Sequence, residues 1–70
     1  MSFLVINGEK KEFSAGGFPA TVGELLRQMD IAEATVVAEV DGQIVDQGSF
    51  GTARLVDGQM VELIRFVGGG

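Results

Sequence analysis

The chain has 70 residues, 46% of them hydrophobic, with ten acidic side chains against five basic ones and a formal net charge of -5. It contains no cysteine and no histidine, which removes disulfides, thiolate metal sites, iron-sulfur ligation, imidazole bases and thiol nucleophiles. The acidic balance repels phosphate backbones and excludes a basic stripe for nucleic acid, and no apolar run approaches the roughly 20 residues that span a bilayer.

A chain of this size is expected to form one domain with a simple core, because a domain of about 60 residues buries only roughly 60% of its unfolded surface. The N-terminus lacks the basic, apolar and small-residue order of a signal peptide, so a cytoplasmic protein is expected. Its charge suits a basic protein partner or serves solubility alone.

The opening SFLVINGEKKEFSA predicts a hairpin. A strand at Ser2 to Ile6 is followed by the turn pair Asn7-Gly8 and a second strand near Lys11 to Ala15. Leu4 and Ile6 share one face of the first strand and Phe3 and Val5 the other; both are apolar, so the pattern does not choose the core side. Gly16 to Pro19, GGFP, breaks the sheet. Thr21 followed three residues later by Glu24 matches a capping box and predicts a helix starting at Val22. Val22, Leu25, Leu26 and Met29 form its apolar stripe, with Glu24, Arg27, Gln28 and Asp30 facing water. A helix this short requires a sheet to pack on.

ATVVAEVDGQIV predicts a half-buried strand with Val36, Ala38 and Val40 on one face and Thr35, Val37, Glu39 and Asp41 on the other. Asp41-Gly42 is a second turn pair leading to a short strand at Gln43 to Val45. Phe50 and Leu55 are expected to pin the irregular stretch after it. The final strand, Met60 to Val67, places Val61, Leu63, Arg65 and Val67 opposite Met60, Glu62, Ile64 and Phe66. These elements define an α+β domain, a mixed four- to five-stranded sheet with one main helix packed across it. Residues 1–67 are expected to form the domain and 68–70 a flexible glycine tail.

VINGE (Val5 to Glu9), TVGELL (Thr21 to Leu26), VVAEVDGQIV (Val36 to Val45) and LVDGQMVELIRFVGGG (Leu55 to Gly70) together resemble the ubiquitin-like sulfur carriers of thiamine biosynthesis, the ThiS family. The resemblance covers essentially the whole chain and implies a β-grasp fold. It also implies that an ATP-dependent, ubiquitin-activating-like enzyme adenylates the Gly70 carboxylate, that sulfur then displaces AMP to leave a thiocarboxylate, and that thiazole synthase receives the sulfur. The chain would then be no enzyme but a sulfur-carrying co-substrate, monomeric when free. It would bind no cofactor itself, ATP being used by the activating enzyme.

The residues suit that chemistry. An ionised C-terminal carboxylate needs activation to react, and three extended residues reach about 10 Å. Gly68 and Gly69 carry no side chain to clash in a narrow channel. Phe66, Ile64 and Glu62 are candidate partner contacts beside the tail, with packing of Phe66 on neighbouring strands, such as the one carrying Phe3 and Val5, as the alternative. Glu39, Asp41 and Glu62 are candidates to meet basic groups. A small subunit of a molybdopterin synthase, a carrier for another sulfur pathway and a β-grasp interaction module without tail chemistry remain alternative functions.

Overall fold

The computed structural model describes residues 2–66. Strand β1 (Ser2–Ile6) turns into β2 (Glu9–Phe13), helix α1 (Val22–Gln28) comes next, and then β3 (Val36–Val40), β4 (Gln43–Val45) and β5 (Met60–Arg65). The sheet order is β2-β1-β5-β3-β4. β1 and β5 run parallel at its centre, and every other neighbouring pair is antiparallel.

Both predicted turn pairs form. Asn7 and Gly8 have φ of 51° and 84°, Asp41 and Gly42 have 50° and 84°, the two successive left-handed residues of a type I′ turn whose twist matches that of the strands. The first turn corrects one boundary. A two-residue connection sets Ile6 opposite Glu9, so β2 begins directly after Gly8 and ends at Phe13, short of the expected Ala15. β5 likewise ends at Arg65, and Val67 lies outside the described residues.

Helix α1 starts where Thr21 predicts, and its first three N–H groups, which no helical carbonyl can reach, all find acceptors. Val22 N–H donates to the Ala53 carbonyl at 3.0 Å and Gly23 N–H to the Phe50 carbonyl at 2.8 Å. Glu24 N–H donates to Thr21 Oγ1 at 3.2 Å. A Cβ on Gly23 would stand 3.2 Å from the Phe50 carbonyl oxygen, so a bare backbone suits that approach. The helix closes with Asp30 at φ 59°, while Ile31 N–H donates to Leu26 and Asp30 N–H to Arg27. This is a Schellman ending with aspartate in the place glycine usually takes, which is why the residue pattern does not announce it.

The core lies between α1 and one face of the sheet. Leu4, Ile6, Val36, Ala38, Val61 and Leu63 from the strands meet Val22, Leu25 and Leu26 from the helix. Tertiary packing thus selects the Leu4 and Ile6 face of β1, which alternation alone left open. Phe50 and Leu55 are buried as expected, 1% and 7% exposed, and carry the loop between β4 and β5 into the core. Phe13 and Phe18 stack edge to face with centroids 5.5 Å apart, closing the GGFP corner. No helix among the described residues is long and apolar enough to cross a membrane.

Candidate functional site

The candidate site is the end of β5 and the sheet face opposite the helix. Alternation along β5 buries Val61 and Leu63 and turns Met60, Glu62 and Ile64 outward. Phe66, one residue past the strand, donates its N–H to the Thr35 carbonyl at 3.0 Å. That bond continues the pairing of β5 with β3 to the last described residue. Gly68, Gly69 and Gly70, the predicted tail and modified residue, lie outside the described residues.

Register decides what surrounds these side chains. Ile64 stands opposite Val37, and Glu62 opposite Glu39, which in turn faces Ile44 on β4. Ile44 is 68%, Ile64 52% and Phe66 48% exposed. Phe66, Val37, Ile44 and Val45 border a depression of 230 Å³ at this end of the sheet. An apolar patch therefore forms at the end of β5, wider than the Phe66, Ile64 and Glu62 set expected from one strand. Val37 and Ile44 join it through pairing between strands, which alternation within each segment does not reveal.

Of the neighbouring strands on which the alternative packs Phe66, it lies beside β3 and β4 and not beside the strand carrying Phe3 and Val5. β1 and β5 are parallel with Val5 beside Met60 and Ile6 beside Val61, so β1 ends near the start of β5. Phe3 lies at the opposite end, its N–H donating to Asp57 Oδ1 at 2.7 Å and its ring under the Lys10 ammonium at 4.7 Å.

The three carboxylates proposed for basic partners separate into two roles. Asp41 is occupied within the chain: Oδ1 accepts from Met60 N–H at 3.0 Å and Oδ2 from Gln59 Nε2 at 3.1 Å. It therefore holds the turn against the start of β5. Glu39 and Glu62 instead oppose each other across two strands, a like-charge pairing that disfavours the isolated sheet. A partner's cation placed between them would relieve that repulsion, and the flanking Val37, Ile44 and Ile64 would supply apolar contact.

The sequence profile of the ThiS family matches residues 4–70. A thiazole synthase of Paramagnetospirillum magneticum is 37% identical over 67 residues, covering 96% of this chain. The chain spans about one-fifth of that curated relative, 20% of its length. A crystal structure of a thiamine biosynthesis protein (ThiS) from Geobacter metallireducens matches at a TM-score of 0.79 and 32% identity, covering 97% of this chain and 99% of that one. A solution NMR structure of a thiamine biosynthesis protein from the same organism matches at 0.77 and 32%, covering 100% and 88%. With the family profile matching residues 4–70 and both structural likenesses spanning nearly the whole chain, the chain belongs to the ThiS family.

Proposed function

We propose that this chain is the sulfur carrier of thiazole formation in thiamine biosynthesis. The observation that carries the reading is the family match over residues 4–70, which takes in the Gly69-Gly70 end beyond β5. With Gly70 as the last residue, its carboxylate oxygen attacks the α-phosphorus of ATP in an activating enzyme and pyrophosphate leaves. A sulfur nucleophile at the oxidation level of hydrosulfide then attacks the acyl carbon. AMP departs with the C–O bond, and the product is a thiocarboxylate. The chain supplies no catalytic group; it is consumed and regenerated as a co-substrate.

Thiazole synthase is the proposed acceptor, supported by the similarity to a stretch of a protein that bears that name. Gly68 to Gly70 would thread the carboxylate toward ATP, since glycine fits a channel that side chains would block. The patch of Ile64, Phe66 and the Glu62-Glu39 pair would meet the partner at the channel's mouth. The test is intact-protein mass after incubation with ATP, a sulfide source and the activating enzyme of the same cell, beside a chain lacking Gly70. A gain equal to exchange of one oxygen for sulfur, absent from the truncated chain, is the expected result. An unchanged mass, with the enzyme active on another carrier, would overturn the reading and leave a β-grasp interaction module.

A further inference from the structure

β1 and β5 pair through a parallel ladder in which Val5 N–H donates to the Gln59 carbonyl at 3.0 Å and Asn7 N–H to the Val61 carbonyl at 2.9 Å. The next rung of such a ladder requires a backbone carbonyl from residue 7 and an N–H from residue 9. Neither is available, because the turn at Asn7-Gly8 sends the chain back so that Glu9 pairs with Ile6. The Asn7 side chain takes their place. Its Oδ1 accepts from Leu63 N–H at 2.7 Å and its Nδ2 donates to the Leu63 carbonyl at 3.2 Å. One primary amide thus presents the acceptor and the donor that a continuing strand would have offered, and these contacts fix its orientation, since the flipped amide would satisfy neither.

The placement matters because Leu63 is the last anchor on this edge of β5 among the described residues. On its other edge β5 stays paired with β3, Val36 opposite Arg65 and Phe66 N–H bonded to Thr35. Without the Asn7 amide, the stretch from Leu63 to Phe66 would hang from β3 alone. Asn7 also sits at φ 51°, a conformation asparagine tolerates better than most residues, so one side chain serves both the turn and the clamp.

We propose that Asn7 is a positioning residue for the C-terminal tail: its amide extends β5's pairing by one rung and fixes the point from which the chain beyond Phe66 departs. This rests on the sulfur-carrier reading, in which that departure point sets how the Gly70 carboxylate meets the activating enzyme. A loosened base would add to the ordering that docking requires. The burden would fall on binding of the carrier and leave the chemical step intact.

Two variants test it. Asn7→Gly keeps the left-handed turn and removes the whole amide; Asn7→Asp keeps an acceptor for Leu63 N–H. Native-state hydrogen exchange is read at the Leu63 amide, relative to Gly23 N–H, which is bonded to the Phe50 carbonyl at 2.8 Å, a bond that involves neither β1 nor β5. The Leu63 amide should exchange roughly five- to tenfold faster in Asn7→Gly, the equivalent of one net hydrogen bond, and close to the unaltered rate in Asn7→Asp. In ATP-dependent sulfur loading, Asn7→Gly should raise KM for the carrier about two- to fivefold with kcat unchanged. Unchanged Leu63 exchange in Asn7→Gly, or equal losses in both variants, would overturn the clamp. Faster exchange without a rise in KM would overturn its part in positioning. An unaltered chain that the activating enzyme never modifies would overturn the carrier reading and its docking role together, while the exchange ratios would still report on the clamp.

Discussion

Replacing Phe50 by alanine tests whether the long connection before β5 is part of the core. Its ring is 1% exposed and heads the fully buried side chains of the described residues, although it stands in no strand or α-helix. Its backbone carbonyl receives Gly23 N–H, and the substitution leaves that acceptor in the chain. The cost therefore comes from the ring: lost transfer energy plus the cavity left behind, about 3–5 kcal/mol. A 70-residue domain is stable by roughly 3.5–10 kcal/mol, so the change removes between a third and all of it. The chain has no tryptophan or tyrosine, and far-UV circular dichroism in urea is the suitable probe. With a slope of about 1 kcal/mol/M, the midpoint should fall by roughly 3–5 M, or the variant should be unfolded in buffer. Phe50→Leu, which empties less volume, should cost about 1–2 kcal/mol and remain measurable. A loss below about 0.5 kcal/mol for both, as expected of surface positions, would refute the assignment of Phe50 to the core.

Other substitutions probe separate parts of the structure. Thr21→Ala removes the side-chain acceptor of Glu24 N–H and should cost about 1 kcal/mol, lowering the melting temperature by roughly 4–8 °C. Asp30→Gly places glycine at φ 59° and should stabilise by about 0.5–1 kcal/mol in the same melts. Glu39→Lys turns the repulsive pair with Glu62 into an attractive one and should add about 0.2–1 kcal/mol, diminishing with salt. The same change should weaken binding to the activating enzyme in a titration; equal affinity would remove the carboxylate pair from the proposed interface. Phe66→Ala should leave urea stability within about 0.5 kcal/mol while raising the dissociation constant for that enzyme, and Gly69→Val should abolish sulfur loading at unchanged stability.

The legible parts of this chain were those fixed by neighbours a few residues apart. Asn7-Gly8 and Asp41-Gly42 announce their turns because few residue pairs accept two successive left-handed conformations. Thr21 and Glu24 mark the helix start, and the period of Val22, Leu25 and Leu26 marks its buried face. Alternation separates Val61 and Leu63 from Glu62 and Ile64. The same local chemistry, carried by whole-segment resemblance, pointed to the family. The Gly68 to Gly70 assignments depend on that resemblance and on the proposed chemistry, since those residues lie outside the described part of the structure.

What local rules left open, the tertiary structure decided through contacts between residues distant in sequence. Both faces of β1 are apolar, and only the helix packing on the sheet selects Leu4 and Ile6 for the core. The antiparallel pairing of β5 with β3, and of β3 with β4, sets Phe66 near Val37 and Ile44, and the parallel pairing of β1 with β5 sets it away from Phe3. Strand register sets Glu39 against Glu62, and it brings the Asn7 amide to Leu63, 56 positions along the chain. The sequence alone determined the turns, the helix and the alternation, because each depends on the conformational preferences of adjacent residues. Which faces and edges meet depended on assembling the whole sheet, because a side chain acquires a neighbour across strands only once their order and register are fixed.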